Sequence, residues 1–223
     1  MATLELIWDE VHTYTLWAWD RPRGSHTTAR VIKRFKKRVY LVEIGFRGQD
    51  QTQLAIIKTA RGDYESQIAL REYDFYSNEL LQLQGQVVPE CYGLFKGKVN
   101  GIDLFILVLE YCHGPEPQRT LDLKLDENRE LMLSVCKLHQ VGVTHGNLVD
   151  GHHFLKTENG VRIIDFSAAF RHRCRNVFPV LMTPNGPTEN CGCPELMNME
   201  KRYGLLGDMA SRKSAEQLAF AYW

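Results

Sequence analysis

The sequence lacks an excess of charge of either sign, a long apolar run and a low-complexity tract. Lysine and arginine together number 27, as do aspartate and glutamate, so the formal net charge is +0. This balance argues against a dedicated nucleic-acid-binding protein. The longest strongly apolar runs, at 54–57 and 104–109, have only the length of strands. They therefore predict no membrane-spanning helix.

The N-terminus also lacks the features of a secretory signal. Its first residues, MATLELIWDEVH, include acidic side chains and contain no apolar core. The 6 cysteines are spread over 223 residues, and without a secretion signal we expect them to be buried thiols. These absences predict an intracellular protein, either cytoplasmic or nuclear.

Apolar periodicity and turn residues predict the order of the secondary-structure elements. Strands are predicted at 30–35, 38–46, 52–58, 87–95 and 102–112, helices at 63–84 and 126–140, a hairpin at 154–166, a long loop at 168–193 and an interrupted helical end. The turn-rich segment 112–120 is a candidate hinge. This order predicts an α+β bilobal fold. It has an N-terminal extension (1–29), a β-rich N-lobe with one helix (30–112) and a shortened, mainly helical C-lobe (113–223).

Six short motifs follow one another along these elements. They are LAIIK (54–58), Glu72, LVLEYC (107–112), HGNLVDGHHF (145–154), IIDFS (163–167) and CPE (193–195). In their order and spacing they resemble the motifs of the protein-kinase-like superfamily. The resemblance covers residues from about 30 to 210 and implies a bilobal protein-kinase-like fold.

The resemblance also implies a nucleotide site. Lys58 would contact the α- and β-phosphates of ATP, and Glu72 would pair with Lys58. Glu110 and Cys112 would lie at the adenine-binding hinge, and Asp165 would bind Mg²⁺. An alternative for Lys58, Glu72 and Asp165 is a purely structural ion network.

The catalytic loop departs from the family pattern. Asn147 stands at the position of the catalytic Asp, and an amide cannot accept a proton at neutral pH. His152 replaces the Asn that would bind a second Mg²⁺, and imidazole is a poor ligand for this hard cation. Because general-base assistance is worth about 10²–10⁴-fold, catalysis should be impaired unless Asp150 or water substitutes as the base.

The segment that corresponds to the phosphate-binding loop also departs from the family pattern. Ile32, Arg34 and Lys37 stand where the family has glycines, so backbone N–H groups could not approach phosphates closely. Ile56, two residues before Lys58, would partly fill the adenine pocket. We therefore expect weak or absent binding of ATP and Mg²⁺, unless Arg34 or Lys37 acts as a substitute phosphate contact.

These departures predict a catalytically impaired pseudokinase that acts by binding or scaffolding, with a protein as its partner. The alternative is an active ATP-dependent phosphotransferase, a protein or small-molecule kinase, with a non-standard catalytic loop. If the chain is an enzyme, phosphoryl transfer is the predicted reaction.

Two further clusters have structural and functional interpretations. KRFKKR (33–38) is either a solvated hairpin or a patch for an anionic partner. His172, Cys174, Cys191 and Cys193 could close a zinc site in the long loop. The Cys-x-Cys spacing is tighter than that of most zinc sites, so the sequence argues against zinc.

Overall fold

The computed structural model of the chain describes residues 2–20, 26–48, 51–112, 125–148, 153–174, 182–183, 186–187 and 193–204. The chain divides into two units, Met1–Cys112 and His113–Trp223. None of the helices in the described ranges has the length and apolar character needed to cross a membrane.

Seven strands of the first unit form a closed barrel. They are β1 (Thr3–Ile7), β2 (Thr13–Ala18), β3 (His26–Lys36), β4 (Val39–Phe46), β5 (Thr52–Arg61), β6 (Cys91–Val99) and β7 (Ile102–Glu110). Their order around the barrel is β1-β2-β6-β7-β5-β4-β3. All neighbours are antiparallel except β1 and β3, which pair in parallel and close the sheet.

Every second side chain along the strands points into the barrel, and these side chains fill its interior. Leu4 and Leu6 of β1 and Ala55 and Ile57 of β5 are fully buried in one apolar core. Because successive side chains of a strand point to opposite faces, Lys58 of β5 points out of the barrel.

Helix α1 (Gly62–Ser77) begins directly after β5 and packs on β5 and β7 from outside the barrel. Its buried face includes Ala69, Glu72, Phe75 and Tyr76. Asp63 and Glu65 lie in its first turn, where negative charge is favoured by the helix dipole. The helix therefore brings Glu72 against the outer face of β5.

The second unit combines two helices with short strand pairs. Its elements are α2 (Leu125–Gln140), β8 (Val143–Thr144), β9 (Phe154–Thr157), β10 (Gly160–Ile163), β11 (Phe170–Arg171), β12 (Met182–Thr183), β13 (Gly186–Pro187) and α3 (Pro194–Tyr203). The strands pair as β9–β10, β8–β11 and β12–β13. Helix α2 packs against α3 and β10, and Leu131, Val135 and Leu138 are buried on it.

The predicted α+β bilobal protein-kinase-like fold is wrong. The described residues form a β-rich structure with a closed seven-stranded barrel and three α-helices. Residues 3–18 explain much of the difference, because β1 and β2 arise from the segment that the sequence analysis set apart as an extension. In the second unit, the described residues between α2 and α3 form short strand pairs in addition to the predicted hairpin.

We predict that Leu6→Ala destabilises the barrel. Leu6 is 0% exposed, and removing a buried leucine side chain costs about 2–5 kcal/mol because a cavity remains. Urea unfolding followed by tryptophan fluorescence measures this loss. Val11→Ala is the matched control, since Val11 lies between β1 and β2 and is 84% exposed. Equal unfolding midpoints for the two variants would contradict a packed role for β1.

Candidate functional site

An ion pair on the outside of the barrel joins Lys58 and Glu72. The Nζ atom of Lys58 donates a hydrogen bond of 2.7 Å to Oε1 of Glu72. The Glu72 side chain is only 3% exposed, whereas that of Lys58 is 21% exposed. A carboxylate this buried needs a charged partner. The structure thus brings together two residues of the predicted nucleotide site and leaves the side chain of Lys58 partly exposed.

Glu110 and Cys112 lie at and just beyond the end of β7. Oε2 of Glu110 accepts a hydrogen bond of 2.9 Å from the backbone N–H of Glu90. The backbone N–H of Glu110 donates to the carbonyl of Glu90 at 2.8 Å. Cys112 is a partly exposed thiol. The Glu110 carboxylate therefore fixes the chain just before β6, which is a structural use of this side chain.

His145 is a buried neutral histidine at the start of the predicted catalytic loop. Its Nε2 atom lies 2.9 Å from the carbonyl oxygen of Ile164, and its Nδ1 atom accepts from the backbone N–H of Asn147 at 3.3 Å. These contacts require the ring proton on Nε2. Burial lowers the pKa of His145 and outweighs the opposing effect of the Ile164 carbonyl. His145 therefore supports the loop as an uncharged side chain.

His153 connects Asn147 with Asp165. Nδ2 of Asn147 donates to Nε2 of His153 at 3.0 Å, and Nδ1 of His153 lies 3.6 Å from Oδ2 of Asp165. Asp165 has a left-handed backbone, with φ 69° and ψ 73°, which is uncommon for a residue other than glycine. Its side chain is 35% exposed. The structure thus gathers three polar side chains of the predicted catalytic and metal motifs.

The sequence analysis missed His153 as a member of this group. It assigned the metal position to the neighbouring His152, and the adjacency of the two histidines was the one signal that pointed here. His152 and the candidate substitute base Asp150 both lie outside the described residues.

The buried carboxylate of Glu195 anchors the loop that carries Asn147. Its Oε1 atom accepts from the backbone N–H of Gly146 at 2.7 Å, and its Oε2 atom accepts from that of His145 at 2.9 Å. Nε2 of His139 lies 2.9 Å from the same Oε2. Burial alone would raise the pKa of Glu195, but these hydrogen bonds together lower it. Glu195 therefore stays ionised.

Gly146, directly before Asn147, stands at a position that sterically requires glycine. Its φ is +82°, and a Cβ atom there would lie 2.9 Å from the carbonyl oxygen of Ala168. Real side chains do not tolerate such an approach to backbone. Glycine therefore allows the loop to pack close to the turn that follows Asp165.

The predicted basic cluster lies beside a cavity at one end of the barrel. The cavity has a volume of about 290 Å³ and is lined by three aromatic rings and by the cationic side chains of Arg34, Lys37, Arg38 and Arg61. Thr59 also lines it, so the cavity lies on the face of β5 opposite to Lys58. Arg34 and Lys37 thus belong to a different side of the barrel wall from Lys58.

We predict that the stability of the protein falls as the pH drops below about 6.5, the ordinary pKa of histidine. The pKa of His145 is lowered in the folded state, so protonation favours the unfolded chain. Neutral His145 contributes its full share to the free energy of unfolding at pH values above its pKa in the unfolded chain. This contribution is lost as the pH falls towards its lower pKa in the folded state. A second ring proton would also face the N–H of Asn147.

Urea unfolding midpoints between pH 8 and pH 5 measure this effect in the wild type and in His145→Gln. We expect a flatter pH profile for His145→Gln, because glutamine does not titrate. A wild-type profile in His145→Gln would show that another group is responsible.

The sequence profile of one protein family, described as lipopolysaccharide core biosynthesis protein (WaaY), matches residues 55–177. The match begins in β5 and includes the Lys58–Glu72 pair and the group formed by Asn147, His153 and Asp165. No curated protein matches the chain. The family match is consistent with a phosphotransferase, the activity that the sequence analysis gave for the case that the chain is an enzyme.

The match corrects the expectations that rested on the resemblance to protein kinases. The prediction of a protein-kinase-like pseudokinase that acts by binding or scaffolding is wrong, because the matching profile belongs to a biosynthetic family. Residues 55–177 are more than half of the 223 residues. The chain therefore belongs to the WaaY family of lipopolysaccharide core biosynthesis proteins.

Proposed function

We propose that the chain is a phosphotransferase that moves the γ-phosphoryl group of ATP to a hydroxyl group of a lipopolysaccharide core saccharide. Membership of the WaaY family supports the acceptor class. The observation that carries the proposal is the group formed by Asn147, His153 and Asp165. The contacts within this group hold a carboxyl group and an amide close together in the second unit, which supports the roles proposed for them below.

Lys58 is the phosphate-binding residue of this proposal. Its ammonium group lies 2.7 Å from Oε1 of Glu72, and its side chain is 21% exposed. Fixing the ammonium group in advance reduces the entropy that a flexible lysine would lose on binding a phosphate. Glu72 is then a positioning residue, since its carboxylate holds the cation and need not contact the nucleotide.

Asp165 fits the role of a ligand for a divalent cation. Its side chain is 35% exposed, and its left-handed backbone is a conformation that recurs at functional sites. Mg²⁺ is commonly held by one or two carboxylates together with the phosphates of the substrate, so a single carboxylate is adequate. Mg²⁺ held there would offset the negative charge of the triphosphate. His153 is a poor ligand for Mg²⁺ and instead orients its two neighbours.

Asn147 would orient the acceptor hydroxyl. Its amide nitrogen donates to His153, so its carbonyl oxygen is the atom able to accept a hydrogen bond from a substrate. An amide cannot take the proton, but phosphoryl transfer depends chiefly on positioning and on stabilising charge. The acceptor oxygen bonds to the γ-phosphorus while the bond to the β–γ bridging oxygen breaks. ADP leaves, and the hydroxyl proton passes to solvent.

We predict that Asp165→Asn lowers phosphoryl transfer by about 100-fold or more, because the oxygen ligand loses its charge. The assay follows radiolabelled γ-phosphate from ATP into purified core oligosaccharide. Asp126→Asn is the matched control, because Asp126 lies on α2 with a 93% exposed side chain. The proposal fails if the wild type phosphorylates no core acceptor, or if Asp165→Asn is as active as the wild type.

We predict that Asn147→Ala lowers kcat by about 100-fold and leaves the KM for ATP unchanged, because misplacement of a reacting group has costs of this size. Steady-state kinetics with varied ATP and varied acceptor separate the two constants. Asn159→Ala, in the turn between β9 and β10, should behave like the wild type. A raised KM for ATP with an unchanged kcat would instead place Asn147 at the nucleotide.

A further inference from the structure

Four potential metal-ligating side chains meet in the second unit, and none of them is among the residues that the proposed transfer reaction uses. They are His139, His172, Cys174 and Cys193, and their ligand atoms all lie within 4.8 Å of one another. The sequence pattern suggested three of them together with Cys191, which lies outside the described residues. The structure adds His139 from α2, which the sequence analysis did not consider.

The local fold explains why these residues converge. Strand β11 pairs with β8, and the backbone N–H of His172 donates to the carbonyl of Gly142 at 2.8 Å. This pairing brings His172 and Cys174 alongside the end of α2, where His139 lies. Cys193 directly precedes α3, and α3 packs on α2. Three segments distant in sequence therefore contribute to one cluster.

The distances suit a tetrahedral zinc ion. Sγ of Cys174 lies 3.0 Å from Nδ1 of His139 and 3.1 Å from Nε2 of His172, and Sγ of Cys193 lies 3.6 Å from Nδ1 of His139. Around tetrahedral zinc, ligand atoms lie roughly 3.3–3.8 Å apart, since Zn–S is about 2.3 Å and Zn–N about 2.0–2.1 Å. Because all four ligand atoms lie within 4.8 Å of one another, side-chain movements of up to about 1 Å would admit the ion.

The donor set and its burial also select zinc. Two thiolates and two imidazoles form one of the common structural zinc sites and do not suit the hard cations Mg²⁺ and Ca²⁺. The side chain of His139 is 0% exposed, and Cys193 is 6% exposed. Four protein ligands fill a tetrahedral shell and leave no position for a substrate, so the site would be structural.

A carboxylate holds the first of these histidines in the orientation that a metal requires. His139 directs Nδ1 into the cluster, while its Nε2 atom lies 2.9 Å from Oε2 of Glu195. Metal-bound histidines usually donate their second ring N–H to such a partner. Glu195 also accepts from the backbone N–H groups of His145 and Gly146. The cluster is thus linked through one carboxylate to the loop that carries Asn147.

We propose that His139, His172, Cys174 and Cys193 bind one structural zinc ion, with Glu195 as the carboxylate that orients His139. The ion would fix the end of α2, the segment after β11 and the start of α3 to one another. This inference stands independently of the proposed transfer activity.

Elemental analysis of the untagged full chain, purified under reducing conditions without chelators, tests the proposal. We expect about one zinc per chain in the wild type and loss of zinc in Cys174→Ala. Cys136→Ala is the matched control, because Cys136 is a buried cysteine on the same helix as His139 but is not among the four ligands. Full zinc content in Cys174→Ala would overturn the assignment.

Metal exchange keeps the test decisive if Cys174→Ala does not fold. We expect the reduced wild type, stripped of metal, to bind Co²⁺ with the visible absorption of tetrahedral cobalt and a sulfur charge-transfer band. Glu195→Gln should weaken zinc affinity by about 10–100-fold in chelator competition. A wild type that contains no zinc and, after reduction, binds neither Zn²⁺ nor Co²⁺ would disprove the site.

Discussion

The buried carboxylate of Glu195 is the contact on which the organisation of the second unit depends. It is ionised and shielded from water, so it must receive hydrogen bonds from groups that come to it. Those groups are the ring of His139 at the end of α2 and the backbone N–H groups of His145 and Gly146. Satisfying one charge thereby fixes the start of α3, the end of α2 and the loop that carries Asn147. Neither helix periodicity nor apolar burial alone would set this geometry.

Closure of the barrel plays the corresponding part in the first unit. With β1 paired in parallel to β3 and β2 paired to β6, the interior is enclosed by strands, and each strand has one face for the core and one for the exterior. Ile57 and Thr59 take the interior positions of β5, which leaves Lys58 on the exterior against α1. Lys58 therefore meets the buried face of α1. Glu72 is one of the few polar residues on that face, and it becomes the partner of Lys58.

Local patterns predicted part of this structure. The periodicity of residues 126–140 agrees with α2, and the alternation around the ENG turn agrees with the hairpin of β9 and β10. The resemblance to the kinase-like motifs implied a pair of Lys58 with Glu72, and the structure contains this ion pair. The closed barrel was missed because the parallel pairing of β1 and β3 is non-local and TLELI is short. His153 and His139 were missed because their roles arise from contacts with Asn147 and Glu195, which no local spacing encodes.

The mistaken pseudokinase prediction rested on the joint loss of the catalytic base, the second metal ligand and the glycines of the phosphate-binding loop. For the base, the amide of Asn147 cannot take a proton at neutral pH, and this was counted as a loss of catalysis. Phosphoryl transfer passes through a loose transition state in most descriptions, and orientation and charge stabilisation then matter more than removal of a proton. An amide held by His153 retains a carbonyl oxygen that can accept a hydrogen bond and orient a hydroxyl group, and the carboxyl group of Asp165 and the amine of Lys58 are still present. Replacement of the catalytic Asp by Asn147 therefore removes less of the chemistry of phosphoryl transfer than the loss of a base alone suggests.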